Sequence, residues 1–422
     1  MSVEEIFEKR KDNAVYNTSY PLRPSDWAPW KVETALPFDG ESELSFYVHI
    51  PFCQNLCKFC EYVRYKKVDE ETETAYLDIV DKDIANFRQQ HGINKLLGFD
   101  IGGGTPTALS DNSFRKLLEL AERHTQGIPL SKGFSGSIEG TFHSISSEKI
   151  AMMAEHPRLF NRLSFGLQNI NKDFLHSNGR DNGSFRRMEA VFQECRKRGI
   201  PILNIDLMYG FPNQTPEDIQ ATMRAVQELM PEHVTVYELR TNMLHQYKTA
   251  SAENRNQQYS SLYSLIRELG YNGMFGGNTF SRVGDTGLSS YLHNRMIENG
   301  SYKGFGIAAQ SKSREGVSYN IGKNGETLEA CLRRGHFEGG DTYVLPPSEM
   351  LGKYLAISGY HGRFDLGIME NITGTNPLEN FAHVFDFLLK AKLVEISGQQ
   401  VSFTPRGFKH YGAVLSLFYA NN

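Results

Sequence analysis

Three cysteines lie close together in the first part of the chain. Cys53, Cys57 and Cys60 have the spacing C-x3-C-x2-C, whereas Cys195 and Cys331 stand alone. A loop of this length can wrap one cuboidal metal cluster and present three thiolates to three irons, because iron–sulfur clusters are held by cysteine thiolates. The fourth iron would lack a cysteine and could bind a chelating substrate and deliver an electron to it. The spacing therefore predicts redox chemistry at an open iron site.

Two other interpretations of the cysteines stay open. Zinc could be held by the three cysteines and His49, although a strand residue four positions before Cys53 would have to bend back to join them. The thiols could also bind no metal, although three thiols on one short loop rarely all find apolar packing. Cys195 lies in a helix-like segment, where a buried thiol behaves as a small hydrophobic side chain. We expect Cys195 and Cys331 to pack in the interior.

Composition indicates the class of protein. The chain has 422 residues, 40% of them hydrophobic and 22% charged, as in an ordinary globular protein. Its 45 basic and 49 acidic side chains leave no excess of positive charge for nucleic acid. No apolar run reaches 18 residues, and residues 1–19 lack the basic start and apolar stretch of a signal peptide. We expect a cytoplasmic protein with neither nucleic acid nor a membrane as a partner.

Short apolar strands alternate with amphipathic helices from residue 44 to residue 239, which is the pattern of parallel β/α units. Six strands are predicted, over residues 44–50, 96–101, 136–139, 162–166, 202–208 and 233–239. Six units are too few to close the usual eight-stranded barrel, so we predict an α/β fold with a partial (β/α)6 TIM-like barrel. Functional loops should follow the carboxyl ends of its strands.

The helix after the fifth strand shows how element boundaries are predicted. Thr215 is the predicted N-cap, Pro216 suits the first turn and Asp218 follows three residues after the cap. One apolar stripe should then face the core. It is formed by Ile219, Met223, Val226 and Met230.

Four segments are predicted along the chain. They are an N-terminal extension (1–40), the partial barrel (41–245), a less regular covering and connecting segment (246–340) and a small C-terminal domain (341–422). In the last segment, a helical stripe over 381–389, two short strands around a Ser397-Gly398-Gln399 turn and a final helix from Thr404 indicate a winged-helix-like fold. Such modules can bind DNA, but few basic residues occur here, so we expect it to pack onto the barrel.

Polar residues follow the other predicted strands. After the second strand comes Gly102-Gly103-Gly104-Thr105-Pro106, where glycines let the backbone approach a ligand and N–H groups face an anion. The third, fourth and fifth strand ends supply Glu139, Gln168, Arg180 and Asp206. Because the carboxyl ends of parallel strands meet at one edge, these groups can converge on a zwitterionic amino acid and a ribose.

These motifs together resemble one family. The C-x3-C-x2-C loop, Gly-Gly-Gly-Thr-Pro, a strand-end Glu, Ser-Phe-Gly-Leu-Gln and Ile-Asp-Leu-Met-Tyr-Gly-Phe-Pro are similar to those of the radical S-adenosylmethionine enzymes, in the branch of oxygen-independent coproporphyrinogen III oxidase. The resemblance runs from Ser45 to the last residues. It implies a [4Fe–4S] cluster whose unique iron binds S-adenosylmethionine, and reductive cleavage of the sulfonium to a 5′-deoxyadenosyl radical that abstracts a substrate hydrogen.

The resemblance also implies roles for individual residues. The cluster ligands would be Cys53, Cys57 and Cys60. The residues against S-adenosylmethionine would be Tyr47, Phe59, Gly103, Gly104 and Thr105, with Glu139, Gln168, Arg180 and Asp206 on its amino acid and ribose parts. Members of this branch can hold two molecules of S-adenosylmethionine, and Gln310, after the Gly304-Phe305-Gly306 turn, matches a segment near the second.

Two departures from the family bear on the substrate. The oxidase has a fourth cysteine where this chain has Tyr62, and the run after Glu139 lacks the family's usual acidic or Asn residue and Pro. We therefore expect a radical S-adenosylmethionine enzyme acting on a small organic or tetrapyrrole substrate, with carbon transfer from a second S-adenosylmethionine as the preferred version. A coproporphyrinogen III oxidase-type decarboxylase and a heme-binding chaperone of the same branch are the alternatives.

A few further residues are candidates for ligand contact. The run His293-Asn294 is similar to the chaperone branch, and His293 is the candidate heme ligand. Tyr62, Tyr237, Glu238 and Arg240 are candidates for substrate contact, whereas no catalytic acid or base is assigned. An electron donor such as flavodoxin or ferredoxin is the expected protein partner.

Overall fold

The structure is a computed structural model, and it describes residues 1–17, 20–240 and 249–420. Its strands are β1 (Lys31–Val32), β2 (Glu43–Ile50), β3 (Phe52–Cys53), β4 (Tyr65–Lys66), β5 (Lys95–Gly103), β6 (Gly136–Gly140), β7 (Phe160–Gln168), β8 (Ile202–Tyr209), β9 (His233–Glu238), β10 (Thr279–Ser281), β11 (Tyr302–Phe305), β12 (Gln310–Lys312), β13 (Gly316–Tyr319), β14 (Thr342–Val344), β15 (Arg363–Asp365), β16 (Val394–Ser397) and β17 (Gln400–Phe403).

The α-helices are α1 (Val3–Arg10), α2 (Glu70–Gln90), α3 (Asp111–Thr125), α4 (Ser147–Ala154), α5 (Lys172–Ser177), α6 (Phe185–Lys197), α7 (Pro216–Leu229), α8 (Ala252–Glu268), α9 (Ser290–Met296), α10 (Leu328–Arg333), α11 (Pro347–Ser358), α12 (Leu366–Thr373), α13 (Pro377–Asn380), α14 (Ala382–Lys390), α15 (Pro405–Phe408) and α16 (Tyr411–Ser416). Within the described residues, none of these helices is long and apolar enough to cross a membrane.

The six predicted parallel strands are confirmed, and they form the centre of the molecule. They are β2, β5, β6, β7, β8 and β9, and they lie side by side in that order with parallel pairing throughout. Neighbouring strands bring Ile101, Ile138, Leu163 and Leu203 into register across the sheet. All four side chains are fully buried, because helices cover the outer face of a parallel sheet and its strands are apolar on both faces.

The sheet continues beyond the predicted strands on both sides. A seventh parallel strand, β11, pairs with β2, and β12, β13, β14 and β1 follow it in antiparallel order. On the other side, β10 pairs antiparallel with β9. The sequence did not reveal β10 to β13, since each has only three or four residues, and β10 and β11 join the barrel strands through partners distant in the chain, as Tyr302 does with Ser45.

The start of α7 is confirmed as predicted, whereas its apolar stripe ends earlier. Thr215 Oγ1 accepts a hydrogen bond from Asp218 N at 3.1 Å, and Asp218 Oδ2 accepts one from Thr215 N at 3.0 Å, which is a reciprocal capping box. The prediction for Met230 was wrong. It follows the last helical residue in a left-handed conformation with φ of +48°, and it is 36% exposed.

A second, smaller sheet lies near the C-terminus, where the sequence predicted a winged-helix-like fold. β16 and β17 form the expected pair, and β15 adds a third strand. The predicted final helix is divided into α15 and α16. The predicted limits of the four segments stay predictions, although the N-terminal residues contact this region: Tyr20 and Trp27 donate hydrogen bonds to Glu349 at 2.6 and 3.0 Å.

One buried ion pair connects the end of the barrel sheet to other parts of the chain. Arg255 Nε lies 2.9 Å from Glu238 Oε1 at the end of β9, and both side chains are buried. The same carboxylate accepts hydrogen bonds from the Tyr411 hydroxyl at 3.0 Å, from Asn17 Nδ2 at 3.1 Å and from the Tyr209 hydroxyl at 3.4 Å. Glu238 therefore joins β8, β9, α8, α16 and the N-terminal residues.

We predict that Glu238→Ala lowers the free energy of unfolding by about 3–5 kcal/mol, because it leaves a buried guanidinium and three donors without their acceptor. The control is Asp78→Ala, which removes the exposed salt bridge of Asp78 with Lys116, 2.6 Å long. This variant should lower the free energy of unfolding by less than about 1 kcal/mol. Urea unfolding of both variants measures the difference, and equal losses would contradict a structural role for Glu238.

Candidate active site

The three cysteines lie on the loop that follows β2, at the edge where the parallel strands end. Cys53 ends β3, and all three thiols are free, with Cys60 less buried than Cys53 and Cys57. Arg64 fastens this loop, since its guanidinium donates hydrogen bonds to the carbonyl oxygens of Cys57 at 2.6 Å and Cys60 at 2.9 Å. Arg64 was not predicted as a site residue, because in the sequence it is only a basic residue shortly after the cysteine motif.

Burial makes two of these thiols weak acids. It raises the pKa of Cys53 to about 11 and raises the pKa of Cys60 above its ordinary value. The Thr105 hydroxyl, which donates to Cys53 Sγ at 3.5 Å, partly opposes this effect on the pKa of Cys53, and the charge of Arg64 partly opposes it for Cys60. Arg180 Nη1 donates to Cys57 Sγ at 3.6 Å. Buried thiolates need a nearby cation, and a coordinated metal deprotonates a thiol. The donor set therefore fits an iron–sulfur cluster, whose irons supply that positive charge.

The zinc alternative required His49 as a fourth ligand, and the structure uses that side chain elsewhere. His49 Nε2 donates to the carbonyl oxygen of Val63 at 2.9 Å, and Nδ1 lies 3.4 Å from the Tyr47 hydroxyl. Burial lowers the pKa of His49 to about 4. In the described part of the chain, no three His, Cys, Asp or Glu side chains converge on a point that could hold a single metal ion.

The glycine triplet at the end of β5 is packed so tightly that no side chain fits. A Cβ on Gly102 would lie 2.6 Å from the Glu139 carboxyl carbon, and one on Gly104 would lie 2.8 Å from the carbonyl oxygen of Ile50. Gly103 has a φ of +106°, and its Cβ would lie 2.4 Å from the His49 ring. These glycines therefore let the strand end lie directly against the loop that leads to the cysteines.

Hydrogen bonds from the triplet show which anion its N–H groups face. Gly103 N donates to Glu139 Oε2 at 3.1 Å, and Gly104 N donates to the carbonyl oxygen of Ile50 at 2.8 Å. Thr105 N donates to the carbonyl oxygen of Phe52 at 2.9 Å. The sequence predicted that these groups face an anionic ligand, whereas Gly103 faces a carboxylate of the protein itself. These backbone bonds fix the position of Glu139 and of the cysteine loop.

Two carboxylates, Glu139 on β6 and Asp206 on β8, lie near each other at this edge. Burial, and then the charge of Asp206, raise the pKa of Glu139 to about 7, and burial also raises the pKa of Asp206. Asp206 accepts hydrogen bonds from Asn204 Nδ2 at 2.8 Å and Ser164 Oγ at 3.1 Å. Glu139 is nevertheless accessible and Asp206 partly so. Accessible but poorly solvated carboxyls indicate that both groups line a cavity at the strand ends.

Gln168 and Arg180 lie beside these carboxylates but differ in how they are held. Gln168 has a φ of +64° at a register shift between β7 and β8, and its Oε1 has no hydrogen-bond partner among the described residues. Arg180 is held by the protein: it donates to the carbonyl oxygen of Gly166, to Asn182 Oδ1 at 2.9 Å and to Cys57 Sγ. Arg180 therefore connects the fourth barrel strand to the cysteine loop.

Tyr47 and Phe59 lie on two sides of the cysteine loop. Tyr47 is partly accessible on β2, and its ring stacks on Tyr291 with centroids 5.4 Å apart and 19° between the planes. Phe59 is buried in an edge contact with Phe211, at 5.8 Å between centroids. Phe211 belongs to the Tyr-Gly-Phe-Pro run after β8, so this run supports the cysteine loop.

Gln310 lies apart from the other predicted cofactor residues, on β12. Its side chain is already engaged: Oε1 accepts a hydrogen bond from the Tyr302 hydroxyl at 2.5 Å, and Nε2 donates to the Tyr319 hydroxyl at 2.7 Å. Arg295 Nη2 also donates to Oε1 at 3.4 Å. The other residues predicted to bind the cluster or S-adenosylmethionine come from β2 and the loop after it, from the ends of β5 to β8, and, for Arg180, from the loop between α5 and α6.

The remaining candidates differ in accessibility. Tyr62 is 62% exposed and Tyr237 is partly accessible, so both can contact a ligand. Arg240 lies over the Tyr360 ring at 4.3 Å from its centroid. The expectation for Glu238 was wrong, since its carboxylate is buried in an ion pair. His293 lies on the surface at 40% exposure, with Nε2 3.2 Å from Glu298 Oε1.

Comparison with known proteins agrees with the motifs. Residues 47–226 match the family described as the radical SAM superfamily. The chain is 26% identical to the heme chaperone HemW of Bacillus subtilis over 73% of this chain and 80% of that protein. It is 30% identical to the oxygen-independent coproporphyrinogen III oxidase of Escherichia coli over 56% of this chain and 52% of that protein. The chain thus spans about half of the oxidase.

The fold is also that of a solved relative. The structure superposes on that of coproporphyrinogen III oxidase (HemN) from Escherichia coli with a TM-score of 0.76. The match covers 96% of this chain and 97% of the other at 22% identity, and it agrees with the predicted α/β fold and its partial barrel. The cysteine loop and its glycine neighbour lie within the matched family region, so residues 47–226 are those of a radical S-adenosylmethionine superfamily domain, and the chain is similar to oxygen-independent coproporphyrinogen III oxidase and to HemW.

Proposed function

We propose that this enzyme cleaves S-adenosylmethionine reductively at a [4Fe–4S] cluster held by Cys53, Cys57 and Cys60, and that it acts on a tetrapyrrole. The superfamily implies both cofactors. The observation that carries the proposal is the contact between the cysteine loop and the glycine triplet, next to two carboxylates that line one cavity. When bound, the cluster supplies the electron that breaks the carbon–sulfur bond of the sulfonium, and a 5′-deoxyadenosyl radical results.

The residues of this chain bind and orient the cofactor. Glu139 and Asp206 attract the positively charged ammonium and sulfonium groups, and Gln168 offers the amide oxygen that has no partner in the described protein. Arg180 fixes Cys57 relative to β7. By the resemblance to the family, further contacts to this cofactor are proposed for Tyr47, Phe59, Gly103, Gly104 and Thr105, whereas Gln310 would lie near a second molecule of S-adenosylmethionine.

The relatives support a tetrapyrrole as substrate. One named relative is an oxidase of coproporphyrinogen III and the other is a heme chaperone, and both names refer to tetrapyrroles. Carbon transfer from a second S-adenosylmethionine, the version preferred from the sequence, finds no support in these relatives, which favour the decarboxylase and chaperone alternatives instead. A reducing partner such as flavodoxin or ferredoxin would supply the electron.

Heme binding without turnover is the second candidate function. Two observations favour it: the sequence match extends over 80% of HemW and over 52% of the oxidase, and Tyr62 occupies the position of the oxidase's fourth cysteine. The candidate also needs an accessible axial ligand, and the His293 imidazole is accessible on α9.

We predict that Cys57→Ala lowers the iron content of anaerobically reconstituted protein from about four to below about one per chain, because a cluster needs all its thiolate ligands. Formation of 5′-deoxyadenosine with dithionite should fall to background. Cys195→Ala, a buried cysteine of α6, is the matched control and should keep both properties. Iron analysis and chromatography of the nucleoside are the measurements. A Cys57→Ala protein with full iron content would exclude the proposed cluster site.

A second prediction concerns pH. The raised pKa of Glu139, about 7, means that its carboxylate is present above that pH and is lost as the pH falls through it. A cationic ligand binds the carboxylate, so the affinity for S-adenosylmethionine should fall about tenfold between about pH 8 and pH 6. Glu139→Gln should bind more weakly at pH 8 and show little pH dependence. Equilibrium dialysis of the oxidised holoenzyme measures this.

Asp100→Asn is the control for the pH experiment. Burial raises the pKa of Asp100 to about 7 as well, but its carboxylate is buried and bonded to Ser289 Oγ at 2.5 Å and Ser137 N at 3.1 Å. This variant should keep a pH dependence of the same size as the wild-type protein, with its midpoint moved to lower pH, because the charge of Asp100 also raises the pKa of Glu139. Loss of the dependence in Asp100→Asn but not in Glu139→Gln would remove Glu139 from the binding site.

A heme titration distinguishes the two candidate functions. If the protein is the proposed enzyme, His293→Ala should bind heme with an affinity within about twofold of the wild type. The control His336→Ala, at another exposed histidine, should do the same. If the protein is a chaperone with His293 as the axial ligand, His293→Ala alone should weaken heme binding by about tenfold or more and change the heme absorption spectrum.

A further inference from the structure

Arg295 lies on α9, and aromatic rings surround its guanidinium. The carbon Cζ is 5.2 Å from the ring centroid of Tyr302 and 5.9 Å from that of Tyr291. Nη1 donates to the Tyr291 hydroxyl at 3.2 Å, and Nη2 donates to Gln310 Oε1 at 3.4 Å. The enclosed Nε has no hydrogen-bond partner among the described residues. Since a guanidinium has five N–H donors, the protein uses fewer than half of them here.

The positive charge of Arg295 is not neutralised by the described part of the protein. No ion pair joins it to any carboxylate of residues 1–17, 20–240 and 249–420. The groups that act on it are the hydroxyls of Tyr291, Tyr302 and Tyr62. Lys312 and Lys353 are buried, and burial lowers the pKa of both amines, so neither replaces Arg295 as the cation of this region. A partly buried guanidinium without a carboxylate partner favours a bound anion.

Tyr291 connects Arg295 with the proposed active site. It accepts a hydrogen bond from the guanidinium and also stacks on Tyr47 of β2, the strand that leads into the cysteine loop. Arg295 is partly accessible. These contacts place the guanidinium one aromatic ring away from Tyr47, on the side of β2 that faces α9.

The helix that carries Arg295 is fixed against the barrel strands. Asn294 Nδ2 donates to Ser45 Oγ on β2 and to the carbonyl oxygen of Ser301, both at 3.0 Å. A Cβ on Gly98 of β5 would lie 2.2 Å from Tyr291 N, so the helix backbone lies directly against that strand. A group held in this way binds a ligand with little ordering cost.

The geometry points to a function for this residue: Arg295 binds a carboxylate of the substrate, and the substrate therefore carries at least one carboxylate group. The inference rests on the proposed function, because it places a substrate in the cavity beside the cluster. A planar guanidinium pairs with a carboxylate through two parallel hydrogen bonds. The Tyr291 hydroxyl and Gln310 Oε1 use one N–H each of the two terminal nitrogens, and the second N–H on each of these nitrogens is left for the ligand.

S-adenosylmethionine also carries a carboxylate, so the experiment must distinguish whether Arg295 binds the carboxylate of the substrate or that of the cofactor. Reconstituted protein without reductant is titrated with coproporphyrin III, which has four carboxylates, and with its tetramethyl ester, which has none. Arg295→Gln removes the charge, and Arg295→Lys keeps the charge but loses the planar fork. Arg333→Gln is the matched control, since Arg333 is 72% exposed on α10. Affinity for S-adenosylmethionine, iron content and melting temperature are measured for each protein.

We expect Arg295→Gln to weaken binding of coproporphyrin III about tenfold to hundredfold, as loss of a charged hydrogen bond would. Arg295→Lys should give a smaller loss, and Arg333→Gln should bind like the wild type. The ester should bind equally to all four proteins. Iron content and melting temperature close to the wild type show that a variant is folded.

The inference is overturned if Arg295→Gln binds coproporphyrin III within about twofold of the wild type, or if it weakens only the binding of S-adenosylmethionine. If the wild type binds no tetrapyrrole, the proteins are titrated with linear dicarboxylates, glutarate and adipate. Arg295-dependent binding of these would support the carboxylate site and exclude the tetrapyrrole, whereas binding that is independent of Arg295 would overturn the inference.

Discussion

The cysteine loop has its position because the end of β5 lies directly against it. Backbone hydrogen bonds from Gly104 and Thr105 to the carbonyl oxygens of Ile50 and Phe52 join the two segments. This approach requires the absence of a Cβ, since one on Gly104 would lie 2.8 Å from the Ile50 oxygen. The same strand end donates the Gly103 N–H to Glu139. One close backbone contact thus fixes the three thiols and the first carboxylate relative to each other.

Low solvation at the strand ends determines the charge state of this site. Burial raises the pKa of the Cys53 thiol and, together with the charge of Asp206, that of the Glu139 carboxyl, so the protein by itself favours their neutral forms. A metal cluster and a cationic ligand supply the missing positive charges. The site is therefore completed electrostatically by the two cofactors that the superfamily implies, and thiolate and carboxylate forms are stabilised together when both are bound.

The features that could be predicted from the sequence are those encoded by residues close together in the chain. The six central strands are continuous apolar runs with helices between them, and the cysteines lie in one short motif, so both are visible without tertiary contacts. The strand β11, the anchoring of α9 and the contact of Arg295 with Gln310 depend on residues distant in the chain. Ser289 on the α9 side bonds to Asp100 on β5, 189 positions away. No periodicity encodes such a pairing, so α9 and its arginine were not recognised as part of the site.

Charges of opposite sign lie on different elements around the site. Glu139 and Asp206 make the strand ends of β6 and β8 acidic, whereas α9 carries Arg295, a cation without a carboxylate partner among the described residues. A cationic cofactor and an anionic substrate would therefore prefer different sides of the same space. If the cofactor and the substrate exchanged positions, like charges would come together in a poorly solvated site, where repulsion is strong. Separation of charge along the cavity, more than its shape, would then decide which ligand lies next to the cluster and which is presented to the radical.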